Sequence, residues 1–235
     1  MYKNILFDLD GTLLPMDMEK FLKLYFDSVC KRCSPIVCVE PNSLIKALVT
    51  GSEAMIKNDN STLNKTVFWE SASESCQKDL TPYIKDFDDY YSSDFDAVKG
   101  ALGFSTYAKK SVDLLKDRGV RLICATNPIF PKVATARRLK WAGVSYDDFD
   151  FVTLYDNMSC CKPNLKYYET ICKVCNIKPE ESLMVGNSVE EDMCAEELGF
   201  DTYLITDCLI NDNNKDYSEY KQGSFEDFYK FLLEN

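Results

Sequence analysis

Beyond Gly100 the chain alternates helix and strand patterns without interruption, and that rhythm admits few folds. "STYAKKSVDLLKDRG" places Ala108, Val112 and Leu115 on one helical face and ends at Gly119. "VRLICA" follows as an apolar strand. A helix is expected over Pro131–Trp141, a short strand at "DFVTL", and a helix over Pro163–Cys175. A strand at "SLMVG", a helix over Val189–Leu198 and a strand at "TYLIT" continue the series. A polar loop, "DCLINDNNKD", precedes a last helix at "FEDFYKFLLE". Short apolar strands separated by helices specify a parallel sheet covered on both faces, a doubly wound α/β domain.

The first strand, Asn4–Asp8, stands apart from this series. From Asp17 to about Phe95 only helical patterns occur, with Asn42 or Ser43, Ser61 and Thr81 as candidate helix starts. The expected organisation is an α/β core of residues 1–15 and 101–235 carrying an inserted α-helical domain, residues 16–100. The two connections, near Leu14–Met16 and Asp96–Gly103, contain Gly100 and Gly103 and suit a hinge.

Composition narrows the function. The net charge of −11 has no basic run within it, which opposes binding to nucleic acid or to an acidic membrane surface. No window has the apolar length of a bilayer span, and Met1 leads into a polar pair and a strand pattern unlike a signal peptide. A cytoplasmic monomer or weak homodimer acting on small molecules is expected. Eleven cysteines accompany a complete absence of histidine. The CxxC pairs Cys30/Cys33 and Cys172/Cys175 contain enough thiols for zinc. Both lie on apolar helical faces, with Phe26 in one case and Leu165 and Tyr168 in the other, which reads as core filling. Without histidine, the catalytic chemistry left is that of carboxylates, lysine and an oxygen-bound cation.

In a doubly wound sheet, ligands sit off the carboxyl ends of the strands. Strand one ends in Asp8-Leu9-Asp10-Gly11-Thr12, and strand two in Thr126-Asn127-Pro128. Lys162-Pro163 stands at the mouth of a later helix, and Gly186-Asn187-Ser188 leads to Glu190, Glu191 and Asp192. Each piece alone also reads as a turn, a cap or a solvated charge. Together they converge on one sheet edge. Close carboxylates repel unless a cation lies between them, and an oxygen-only donor set favours Mg²⁺. Thr126, nearby amides and a lysine can hold phosphate oxygens, so the edge reads as a phosphoryl-transfer centre.

DxDGT at Asp8–Thr12, the Thr126 of "ICATN", Lys162, and "VGNSVEED" ending at Asp192 resemble the four motifs of the haloacid dehalogenase-like (HAD) hydrolase superfamily. They occur in the same order, at comparable separations and over the whole chain. The helical insertion is similar to the cap of the superfamily's first cap class, and the core to its Rossmann-like domain. The resemblance implies a Mg²⁺-dependent phosphatase acting on a small phosphorylated metabolite. In it Asp8 is the nucleophile that forms a phosphoaspartyl intermediate, and Asp10 is the acid and base. Thr126, Asn127 and Lys162 hold the phosphoryl group, and Asp8, Asp10, Asn187 and Asp192 hold the metal. One position departs from the family pattern: Gly186 is followed by Asn187 where the family has aspartate. Weaker Mg²⁺ binding is implied, with Asp192, or Glu191 one turn from Asn187, supplying the charge. Asp10 argues against a dehalogenase, which needs no acid. A sugar-phosphate mutase, and a non-catalytic protein binding a phospho-ligand or a partner, stay open as alternatives. Lys20, Lys23, Tyr25, Trp69 and Tyr83 are candidate selectivity residues on the insertion.

Overall fold

The computed structural model describes residues 2–59 and 61–234. A six-stranded, wholly parallel sheet runs in the order β3-β2-β1-β4-β5-β6. Its strands are β1 (Asn4–Phe7), β2 (Arg121–Cys124), β3 (Phe151–Val152), β4 (Ser182–Gly186), β5 (Asp201–Ile205) and β6 (Gln222–Gly223). The two-residue period decides which layer each side chain joins. Ile5 and Phe7, with Leu122, Cys124, Leu183 and Val185, pack under α5 (Thr106–Asp117) and α8 (Phe225–Glu234). Leu6, Ile123 and Met184 face the other way, against α7 (Leu165–Cys175). Because β1 is central and covered on both faces, its carboxyl end, where Asp8 begins, opens onto the middle of the sheet edge.

Over that edge lie α1 (Met18–Val37), α2 (Pro41–Ile56), α3 (Asn64–Ser75) and α4 (Ile84–Ser92), closed by a 3-10 segment at Asp94–Ala101. Their apolar faces form a second core around Tyr25, Val29, Leu48, Trp69, Phe87 and Phe95, which also takes in Ala134, Tyr155 and Cys161 of the α/β part. Helix α6 (Lys132–Trp141) lies between the two cores, with Ala134 in one and Leu139 in the other. Cys30, Cys33 and Cys175 are buried as small apolar side chains, and burial lifts the Cys33 thiol to about 12. All eleven cysteines are free, and no cluster of three or more His, Cys, Asp or Glu with metal-binding geometry occurs among the described residues. No described helix is long and apolar enough to cross a membrane.

The connecting chains run side by side. Met16 pairs with Leu102 in an antiparallel bridge, Gly103 N–H donates to the Pro15 carbonyl at 2.7 Å, and Asp17 N–H to the Ala101 carbonyl at 2.9 Å. A Cβ on Gly103 would stand 3.0 Å from that of Pro15, so glycine permits this approach. Gly100 meets nothing closer than 3.6 Å and has no such requirement.

Several helix starts differ from the sequence expectation. Glu40 caps α2 through Ser43 N–H, with Pro41 as its first residue. α3 begins at Asn64 instead of Ser61, and no side chain among the described residues caps it. Its first amides donate to carbonyls of the α/β part, Asn64 N–H to Met158 and Lys65 N–H to Tyr155, each at 2.9 Å. A tertiary contact thus satisfies donors that a cap would otherwise take. α4 starts at Ile84, after a 3-10 turn at Thr81–Tyr83. The expected helix over Val189–Leu198 is a tight turn followed by a 3-10 segment, Met193–Leu198. The Asp192 carboxylate turns back to accept from Ser188 N–H at 2.9 Å, which holds the segment in a turn.

Candidate active site

Asp8, Thr126 and Asn187 lie just past the ends of β1, β2 and β4. After Phe7, Asp8 N–H still donates to the Val185 carbonyl, and the chain then tightens into a loop in which Gly11, at φ +86°, donates to Leu14. The Asp8 carboxylate is buried and doubly held: Oδ1 accepts from Lys162 Nζ at 2.9 Å and Oδ2 from Thr12 Oγ1 at 3.0 Å. Lys162 is 1% exposed and also donates to Asp192 Oδ1 at 2.6 Å, so one ammonium joins two carboxylates. Burial alone would lower the Lys162 pKa, but Asp192 and Asp8 raise it well above the usual range, and the group stays cationic. Burial, reinforced by Asp8, lifts Asp192 to about 6.

Asn187 sits on the other side of Thr12. The Thr12 hydroxyl, directed toward Asp8, is also 3.0 Å from Asn187 Oδ1, while Asn187 Nδ2 donates to the Cys208 carbonyl at 2.6 Å. That second bond fixes the amide so that its oxygen, the atom able to ligate a cation, faces the Asp8 side. A Cβ on Gly11 would lie 2.3 Å from Asn187 Nδ2, so Gly11 is needed both for its backbone angle and for the room it leaves.

At the end of β2, the Thr126 carbonyl is pinned by Thr153 Oγ1 at 2.6 Å and Tyr167 Oη at 2.9 Å. Asn127 accepts from Lys162 N–H through Oδ1 at 3.2 Å and donates through Nδ2 to Glu191 at 3.1 Å. Burial pushes Glu191 up to about 7. Asp8, Asp10, Thr126, Asn127, Asn187 and Asp192 all border one cavity of about 420 Å³. Lys162 reaches it from beneath, through Asp8. Residues 2–199 match the haloacid dehalogenase-like hydrolases.

The chain belongs to that family.

Similarity extends beyond the family match. The chain is 25% identical over 225 residues, 93% of its length and 92% of the relative's, to a glyceraldehyde 3-phosphate phosphatase of Methanothermobacter thermautotrophicus. A HAD phosphatase from Thermococcus onnurineus superposes with a TM-score of 0.60 at 21% identity, covering 98% of this chain and 97% of that one. A Bacteroides thetaiotaomicron HAD family enzyme, solved with magnesium and inorganic phosphate, superposes at 0.52 with 19% identity, covering 93% and 98%. This HAD-like hydrolase therefore has phosphatases among its relatives.

Asp10 holds the residue that the sequence reading passed over. Its Oδ2 accepts from Nη1 of Arg138, which is 1% exposed on α6 and also donates to Thr135 Oγ1 at 3.1 Å. The guanidinium stacks 4.3 Å from the Phe130 ring centre. Burial raises the Asp10 pKa and Arg138 opposes that rise, while Asp8 adds to it. Asp10 Oδ1 is buried and has no hydrogen-bond partner among the described residues, so one carboxylate oxygen of the hydrolase is uncommitted. A signal for Arg138 did exist. In "ATARRLKW" it shares the helical face of Ala134, Thr135 and Leu139, all buried, while Lys140 is exposed and Arg137 pairs outward with Asp96.

The candidate selectivity residues separate clearly. Lys20 and Lys23 are exposed, and Tyr83 lies under Lys78 away from the cavity. Trp69 is buried in the helical core. Tyr25 alone of the five borders a cavity that reaches Asp10, and its hydroxyl is 2.8 Å from that of Tyr91.

Proposed function

We propose that this hydrolase is a Mg²⁺-dependent phosphatase that cleaves a small phosphorylated metabolite through a phosphoaspartyl intermediate. The observation that carries the reading is the unequal treatment of two neighbouring carboxylates. Asp8 is clamped by Lys162 and Thr12, whereas Asp10 is gripped through one oxygen by Arg138 while its other oxygen is buried without a partner among the described residues. A clamped nucleophile beside a second carboxylate with one uncommitted oxygen supports attack by the first and acid–base work by the second.

The donor set fits magnesium. Asp8, Asp10, Glu191 and Asp192 outnumber the cations Lys162 and Arg138, and burial raises the pKa of Asp10, Glu191 and Asp192. Carboxylates exceed cations at the site, and all the donors are oxygens. Mg²⁺ keeps several waters and needs only one or two carboxylates. Asp8, the Asp10 carbonyl and Asn187 Oδ1 would hold it, with Asp192, committed to Lys162 and Ser188, acting through a water. When bound, it supplies charge neutralisation at the phosphoryl oxygens.

Asp8 attacks phosphorus in line while Thr126, the Asn127 amide and Lys162 hold the phosphoryl oxygens. Asp10 gives its proton to the leaving oxygen, then takes one from the water that opens the acyl phosphate. We assign residues 16–100 as a helical cap over residues 1–15 and 101–235, excluding bulk water during the first step. Phosphate release from p-nitrophenyl phosphate, compared in Mg²⁺ and in EDTA, tests the reading. Wild type should turn over only with Mg²⁺, and Asp8→Asn should retain less than about a hundredth of that rate. Metal-independent turnover, or an active Asp8→Asn free of deamidation, refutes it. A rival, a non-catalytic phospho-ligand binder, draws on neutral Asn187 and predicts no turnover on any substrate.

A further inference from the structure

The catalytic cavity opens toward a second one, of about 280 Å³, beneath the helical insertion, and Asp10, Met18, Ile56 and Ile129 border both. Asp10 is the residue that would protonate the leaving group, so the second cavity lies where the leaving group must go. Its walls are aromatic and aliphatic: Phe21, Tyr25, Leu48, Phe68 and Phe130 define its shape. The hydroxyls of Tyr25 and Tyr91 are bonded to one another and have little left to offer a ligand. The remaining polar groups besides Asp10 are Ser52, partly buried, and Glu53, which is exposed and paired with Lys57.

The charge inventory is equally one-sided. No lysine or arginine borders either cavity among the described residues, and the charged groups that do are all acidic. Lys162, held between Asp8 and Asp192, serves the transferred phosphoryl, and Arg138 is taken by Asp10, so neither meets a group on the leaving side. A second anionic group on the substrate, whether carboxylate or phosphate, would be desolvated against carboxylates with no cation to meet it. In the second cavity a polyhydroxylated leaving group would find only Asp10, Ser52 and Glu53 to partner its hydroxyls.

We infer that the leaving group is a neutral apolar alcohol or phenol, and that this hydrolase acts on alkyl or aryl monophosphates in preference to carboxylated, doubly phosphorylated or sugar phosphates. The inference rests on the phosphatase reading above and specifies its substrate class. A volume of about 280 Å³ is near the lower end for small-molecule sites and suits a short alkyl chain or a single ring.

The test compares kcat/KM in saturating Mg²⁺ across ethyl, butyl, hexyl and 2-phenylethyl phosphate, against 3-phosphoglycerate, glucose 6-phosphate and phosphocholine. Each methylene buried should raise kcat/KM about threefold to fourfold until the cavity is filled. The best apolar ester should exceed every other class at least tenfold. Val49→Lys, at an exposed position on α2 bordering the cavity, should narrow the gap to 3-phosphoglycerate several-fold. Turnover that favours a carboxylated, sugar or ammonium-bearing ester overturns the inference and leaves the phosphatase reading intact. If no ester is hydrolysed, the phosphatase reading falls, and calorimetry of hexylphosphonate against 3-phosphonopropionate decides the cavity's preference. Tighter hexylphosphonate binding supports an apolar subsite, and equal or weaker binding rejects it.

Discussion

Arg138→Met separates the role of the buried Arg138–Asp10 pair from the rest of the site. Methionine keeps the apolar stem and can pack on Phe130, so the change removes mainly the guanidinium. Asp10 Oδ2 then loses Arg138, and Oδ1 has no partner among the described residues. Breaking a buried ion pair by removing one member costs about 3–5 kcal/mol. The Asp10 side chain is 20% exposed, so water recovers part of that, and about 2–4 kcal/mol is expected. For a chain of this size that is a melting temperature lower by about 5–15 °C. Asp10→Asn should also destabilise, because it strands a cation that is 1% exposed. The double variant should be more stable than the sum of the two losses predicts, by about 2 kcal/mol. Urea unfolding of the four proteins at neutral pH in EDTA measures this coupling without a divalent metal in the site. A loss below about 1 kcal/mol for Arg138→Met, with coupling under about 0.5 kcal/mol, would refute the claim that the arginine carries the charge of Asp10. In Mg²⁺, the same variant should lose about a hundredfold in kcat on alkyl phosphates, since its acid is no longer held in place.

Three further outcomes follow from the geometry. Asp10→Asn should cost alkyl phosphates at least tenfold more kcat/KM than p-nitrophenyl phosphate, whose leaving group needs little protonation; equal losses would remove Asp10 as the acid. Asn187→Asp adds a charge worth several kcal/mol toward a divalent ion before desolvation, at an effective dielectric near 20. It also replaces the 2.6 Å amide bond to Cys208 with an oxygen–oxygen contact that costs about 1–3 kcal/mol. Its Mg²⁺ requirement should fall about tenfold while its stability in EDTA drops, and an unchanged Mg²⁺ titration would remove Asn187 from the ligand set. Gly11→Ala should lose at least about 2 kcal/mol, from the positive φ and from a Cβ placed 2.3 Å from Asn187 Nδ2. A wild-type melting curve for it would show that the loop adapts freely.

Periodicity and strand-end chemistry made most of the fold and the pieces of the site legible before any coordinates. Alternating apolar strands and helices are local signals, and a parallel sheet follows from them because few other arrangements cover both faces. The strand-end residues could be assigned to one edge on the same logic, and Asp8, Thr126, Asn127, Asn187 and Asp192 do border one cavity. Three things depended on the tertiary structure. The segment after Asn187 reads as a helix, but Asp192 is drawn inward by Lys162, thirty positions away, while it accepts from Ser188 N–H, and the segment becomes a turn. The start of α3 is set by carbonyls of Tyr155 and Met158, about ninety residues downstream. Arg138 meets Asp10 across 128 positions of sequence, and nothing at either end announces the other. Propensity and periodicity act over a few residues, whereas the electrostatics of a buried carboxylate are decided by whichever charge the packing brings beside it.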